Sequence, residues 1–200
     1  MEPQTGASPD GGFDFYVLSM SWSPSYCAAE GVDANRRQCA AGSNYSFIVH
    51  GLWPQFEKGY PTDCPVGERE VSRRIVSQML PLMPSAGLIG HQWRKHGSCS
   101  GLSQADYFQV VRAARQRIDV PPEFARARGQ RSVSADTVER AFLAANPGLP
   151  ADGIAVTCDR RYLREVRICL DKALEFRSCP EVDRRHCALR DAVMPPVHGG

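Results

Sequence analysis

The sequence predicts a single α+β domain, with a central, mainly antiparallel sheet flanked by helices and stapled by disulfides. Three observations carry this expectation. Short runs rich in aromatic and β-branched residues stand towards both ends of the chain, amphipathic stretches of helical period lie between them, and no repeat or boundary divides the 200 residues. Eight cysteines are spread along the chain, none of them in a Cys-x-x-Cys pair. A hydrophobic content of 42% at this length is enough for one well-buried core. The expected domain spans 13–193, with flexible tails at 1–12 and 194–200.

Residues 13–22 (FDFYVLSMSW) are nearly all apolar, as a strand buried on both faces would be. Residues 23–45 carry Asn, Gly, Ser and Pro throughout and read as a long loop holding Cys27 and Cys39. Ser46-Phe47-Ile48-Val49 is a short strand that delivers His50 at its end, after which Gly51-Leu52-Trp53-Pro54 turns the chain away. A loop through Cys64 leads to an amphipathic stretch at 71–80, closed by Pro81. Residues 91–96 are helical, and Gly97 ends them in a left-handed cap.

Ser103 and Asp106 form the Ser-x-x-acid pattern that opens a helix, and Tyr107, Val111, Ala114 and Ile118 make its apolar stripe before Pro121-Pro122. Ser134 caps a further helix that runs to Asn146 and stops at Pro147-Gly148. Residues 154–158 and 162–171 read as strands, the second alternating Arg164, Val166, Ile168 and Leu170 against Glu165, Arg167 and Cys169. Residues 178–200 are a cysteine-stapled end with a loose tail.

A net charge of +2 is too small to imply a polyanionic partner by itself. No run approaches membrane-spanning length, so no membrane partner is expected. The last four cysteines, at 158, 169, 179 and 187, fit no zinc-ribbon spacing, and an even number of them favours a disulfide framework in an oxidising compartment. Residues 1–12 lack the apolar core of a signal peptide. The expectation is a mature secreted or periplasmic enzyme whose export signal has been removed.

The chemistry centres on His91-Gln92-Trp93-Arg94-Lys95-His96-Gly97-Ser98-Cys99. At about 100° per residue, a helix here brings His91 into line with Lys95 and sets Gln92 and His96 beside them as a second i,i+4 pair. Trp93 and Arg94 point the other way, Trp93 towards the core. Only Lys58, Lys95 and Lys172 are lysines among the 24 basic residues, which makes Lys95 less incidental. Two histidines in one segment are often unrelated to function, and zinc is a poor fit because the metalloprotease spacing is i,i+4 with an intervening Glu. Here the spacing is five and no carboxylate intervenes.

His50 ends a strand, where a histidine is commonly a satisfied structural residue. With His96 it supplies what metal-free acid–base catalysis requires, two imidazoles able to hold opposite protonation states near neutral pH. Lys95 adds a fixed positive charge for an anionic transition state. Trp53 offers a flat surface on which a base can stack.

His50-Gly51-Leu52-Trp53-Pro54 and the segment from His91 to Cys99 closely resemble the two active-site segments of the ribonuclease T2 family. The likeness extends to 13–27 (FDFYVLSMSWSPSYC) and to 162–171, so it covers most of the chain in order. The absence of Lys-rich extensions resembles a bacterial member. The resemblance implies cleavage of single-stranded RNA by transesterification through a 2′,3′-cyclic phosphate, without metal or other cofactor. DNA, lacking the 2′-hydroxyl, is not cut.

By position, the resemblance makes His96 the general base, His50 the general acid, Lys95 the stabiliser of the phosphorane, His91 a phosphate ligand and Trp53 part of a base pocket. It also selects the pairs Cys27–Cys39, Cys64–Cys99, Cys158–Cys187 and Cys169–Cys179 from 105 pairings, and a monomer is expected. Two positions depart from the family pattern. Gln92 stands where the family usually has a catalytic Glu, and Gln55 where many relatives have Asp. The first motivates an alternative, a ribonuclease-like RNA-binding or toxin-type module with weak or no catalysis. A further alternative is a cysteine hydrolase built on Cys99 near His96.

Overall fold

The computed structural model describes residues 12–125 and 127–197. Among them the strands are, in chain order, β1 (Phe15–Trp22), β2 (Phe47–Gln55), β3 (Arg131–Val133), β4 (Ile154–Cys158), β5 (Leu163–Leu170) and β6 (Ala192–Met194). The main sheet has the order β2-β1-β5-β4 with every neighbouring pair antiparallel, and β3 pairs with β6 in a second, two-stranded sheet. The expected α+β class and antiparallel sheet are both present. β3 and β6 are additions, too short at three residues each to show a period in the sequence.

β1 lies inside the sheet, and its alternate side chains serve two faces. Tyr16, Leu18, Met20 and Trp22 enter the main core, while Phe15 and Val17 form a smaller cluster with Cys169 and Cys179. This explains why the strand is apolar at almost every position. On the core side, Phe47 packs edge-on to Trp22 and Phe142, with ring centroids 4.9 and 5.5 Å apart.

β2 corrects the sequence reading. It does not stop at Val49, and Gly51–Pro54 is not a turn, because the strand runs on to Gln55. The pairing passes from Ser19↔Gly51 to Met20↔Val49, leaving His50 as the extra residue of a β-bulge. Pro54 is tolerated because β2 is an edge strand.

The expected loop at 23–45 is also corrected. It contains helices α1 (Ser23–Glu30) and α2 (Arg36–Cys39), joined by the Cys27–Cys39 disulfide. The residues read as breakers act as helix starts. Pro24 sits in the first turn of α1, where its missing N–H costs nothing, and the Asn35 side chain accepts from the Gln38 N–H.

Helix α3 (Arg73–Met79) is capped by Ser72. Helix α4 (Ala86–Lys95), capped by Ser85, starts earlier than the predicted 91–96 segment. The left-handed cap expected at Gly97 is not there. His96 is the C-cap, Gly97–Ser100 form a 3-10 turn, and the left-handed glycine is Gly101 (φ 74°). Gly97 is required for space instead, since a Cβ would meet the Trp93 ring at 2.6 Å and the Tyr107 ring at 2.7 Å.

Helix α5 (Gln104–Gln116) carries the predicted Ser103 cap, and the stripe Tyr107, Val111, Ala114 and Ile118 is buried in the main core. The short α6 (Pro122–Ala125) follows. Helix α7 (Ala135–Ala145), with Ser134 as N-cap and Asn146 as C-cap, contributes Val138 and Phe142 to the same core. Helix α8 (Pro180–Asp183) is tied to β5 by Cys169–Cys179. With Cys64–Cys99 and Cys158–Cys187, all eight cysteines are paired as the resemblance implies.

Of the C-terminal tail expected at 194–200, residues 198–200 lie outside the described residues and 194–197 make the following contacts. Met194 is buried at the end of β6, the Trp22 Nε1–H donates to the Pro195 carbonyl at 3.0 Å, and the Val197 N–H donates to Ala127 O at 2.8 Å. The N-terminal tail expectation falls, apart from Gly12, outside the described residues.

Candidate active site

The bulge in β2 decides what faces the cleft. His50 and Trp53 are three residues apart, so an unbroken strand would place them on opposite faces of the sheet. The extra residue shifts the phase. Trp53, opposite Val17, and His50 both line a cleft of ≈ 340 Å³.

Opposite them, α4 presents His91, Gln92 and Lys95, with His96 at its end, and all four line the same cleft. Trp93 turns into the core, where its indole N–H donates to the Glu68 carbonyl at 2.7 Å. Ring and helix meet through one polar contact. The Trp53 Nε1–H donates to Gln92 Oε1 at 2.8 Å, with Gln92 only 2% exposed. Gly51 makes this possible, because a Cβ there would lie 2.0 Å from Gln92 Oε1 and 2.4 Å from Trp53 Nε1. The Trp53 ring stands between the imidazoles, 5.3 Å from His96 and 5.6 Å from His50 between centroids.

The two imidazoles live in opposite surroundings. His96 is 7% exposed, and burial first, then the positive charges of Lys95, His91 and His50, lowers its pKa to about 4. Its Nδ1 has no hydrogen-bond partner among the described residues. His91 is lowered too, by burial and then by Lys95, Arg94 and His50. His50 instead meets a carboxylate, its Nδ1 hydrogen-bonded to Glu165 Oε1. The other oxygen of Glu165 accepts from Arg167 Nε at 2.9 Å and Nη2 at 2.7 Å. Burial alone would raise the Glu165 pKa, but the His50 hydrogen bond and the charges of His50 and Arg167 outweigh it and bring it to about 2.

Such a site sets one imidazole, held neutral, among cations and the other against an anion, the asymmetry that paired base and acid work requires. Among the described residues no three His, Cys, Asp or Glu side chains are grouped as metal ligands would be. Cys99 is bonded to Cys64, so the cysteine-hydrolase alternative has no thiol.

Sequence reasoning missed Glu165 and Arg167. They were visible only as the polar alternation of a strand, and nothing local marks an acid 115 residues away as the partner of His50. Tyr60 and Phe56, both exposed at the mouth of the cleft, were missed as well.

Fold and site together define a disulfide-stapled α+β domain with two imidazoles, a lysine and an amide gathered in one cleft. A profile of the ribonuclease T2 family matches residues 13–179, and the chain belongs to that family, with the enzyme class of a T2-type ribonuclease. A ribonuclease of Aeromonas hydrophila is 38% identical over 177 residues, which cover 81% of this chain and 74% of that protein. A probable ribonuclease of Haemophilus influenzae is 26% identical over 182 residues, covering 83% of this chain and 61% of that one. Among solved structures, trichomaglin, an S-like ribonuclease, shares the fold with a TM-score of 0.70 at 19% identity, over 92% of this chain and 98% of that one. RNase NT, solved in complex with 5′-AMP, does so with a TM-score of 0.68 at 24% identity over the same shares.

Proposed function

We propose that this chain cleaves single-stranded RNA internally by transesterification, with His96 as general base and His50 as general acid. The observation that carries this reading is the opposite surroundings of the two imidazoles in one cleft. His96, buried among positive charges, stays neutral and accepts the proton of the 2′-hydroxyl as that oxygen attacks phosphorus. His50, held against Glu165, gives its proton to the departing 5′-oxygen. The P–O5′ bond breaks, and the products are a 2′,3′-cyclic phosphate and a 5′-hydroxyl.

Lys95 and the more exposed His91 line the same cleft and act on the non-bridging oxygens as negative charge grows there. Gln92 has its amide oxygen taken by Trp53, while no acceptor among the described residues holds Nε2. That amide can donate to a phosphate oxygen, which a carboxylate could do only when protonated. DNA lacks the nucleophile. Four disulfides fit a secreted or periplasmic site of action.

Incubation with a single-stranded RNA in excess EDTA is the test. Undiminished cleavage with 2′,3′-cyclic ends is expected, and loss of activity restored by zinc or magnesium would overturn the mechanism.

Gln92→Glu probes the departure from the family pattern. A carboxylate retains the acceptor for Trp53 but adds negative charge beside His96, favouring its imidazolium. The acid limb of the pH–rate profile is expected to move to higher pH, with a smaller rate change than loss of either His50 or His96. If the chain does not cleave RNA and Gln92→Glu restores activity by orders of magnitude, the neutral-ligand role of Gln92 is wrong.

A further inference from the structure

Glu165 is the one buried carboxylate among the described residues, at 8% exposure, and its own strand does not account for its contact with His50. Register does. Glu165 and Arg167 of β5 lie opposite Ser21 and Ser19 of β1, and Ser19 in turn faces Gly51 of β2. The four side chains at 165, 167, 19 and 21 therefore share the sheet face that carries His50. Two serines are the small residues over which an imidazole on one outer strand can reach a carboxylate two strands away.

Arg167 closes the arrangement, with both of its hydrogen bonds on the second oxygen of Glu165 and its guanidinium 5.1 Å from the centre of the Trp53 ring. The carboxylate is thus held from one side and offers its free oxygen to His50 Nδ1. A side chain so clamped has no rotamer freedom to lose when the histidine docks on it.

We propose that Glu165, clamped by Arg167, is a positioning residue of the reaction: it keeps the proton of His50 on Nδ1 and aims Nε2 at the leaving oxygen. The proposal rests on the reading of His50 as general acid. The charged and titratable groups around His50 are Glu165, Arg167 and Arg164 on β5, His91 and Lys95 on α4 with His96 at its end, and Glu181 and Arg185 across the cleft, with Asp63 acting on His91 and His96. Glu165 is the carboxylate among them in contact with the ring.

Glu165→Gln is nearly isosteric. It is expected to lower kcat/KM on RNA by about 10–10²-fold, as loss of an orienting partner does. The deciding comparison uses a dinucleotide whose 5′-bridging oxygen is sulfur, because a thiolate departs without a proton. Both His50→Ala and Glu165→Gln are expected to approach the unsubstituted enzyme on that substrate.

If His50→Ala recovers but Glu165→Gln stays equally impaired on both substrates, Glu165 has no part in acid catalysis and the proposal fails while the acid role of His50 stands. If His50→Ala does not recover, the acid assignment fails and takes the proposal with it. Glu165→Asp, which keeps the buried charge but withdraws it by one methylene, serves if the Gln variant does not fold. Loss on RNA with recovery on the sulfur substrate supports the proposal, and equal loss on both overturns it.

Discussion

Replacing either His50 or His96 with Ala is expected to lower kcat/KM on RNA by more than the about 10²–10⁴-fold that one acid–base group contributes by itself. In the proposed mechanism the two imidazoles act on the two ends of one proton transfer sequence, so the double variant is expected to be little worse than either single one. The pH dependence of the unsubstituted enzyme should show which histidine is which. As the proposed base, His96 works when neutral, and burial with its cationic neighbours brings its pKa to about 4. Activity should therefore persist as the pH falls below the ordinary histidine range and be lost as it passes through about 4. Steady-state rates over pH 3–9 and circular dichroism of the variants check this. A His96→Ala variant that is folded and retains activity within tenfold would remove His96 from the mechanism.

Removal of the Cys64–Cys99 disulfide in a double Ser variant is the second large effect. It closes a loop of sequence separation 35, which in the chain-entropy model stabilises by about 3–4 kcal/mol. For a domain of this size that corresponds to a fall in Tm of about 10 °C. Its place makes the loss functional as well. Cys99 lies in the 3-10 turn directly after His96, and beside Cys64 the Asp63 N–H donates to the Lys95 carbonyl at 2.9 Å. Freeing this corner loosens the end of α4 that carries Lys95 and His96, so kcat is expected to fall at temperatures where the variant is still folded. Thermal melts and rates measured together test it, and an unchanged kcat well below the new Tm would show that the staple serves stability alone.

Helical features were legible because they are local. The Ser103 and Ser134 caps, the stripe from Tyr107 to Ile118, and the common arc of His91, Gln92, Lys95 and His96 follow from spacings of three and four along one chain segment. The error at 23–45 was local too. Pro24 and Asn35 are as suited to starting a helix as to breaking one, and the choice falls to the Cys27–Cys39 link.

What the residues alone determined is the stock of groups for the chemistry: three histidines and a lysine in two segments, an amide where a carboxylate is usual, and eight cysteines. Only the tertiary structure decided how they meet. The bulge at His50 exists because β2 pairs with β1 one residue out of step, and without that pairing His50 and Trp53 would face opposite ways. Glu165 reaches His50 across β1 because three strands align in register. Strand pairing is a long-range interaction, and a residue's place opposite another strand is written in neither segment by itself.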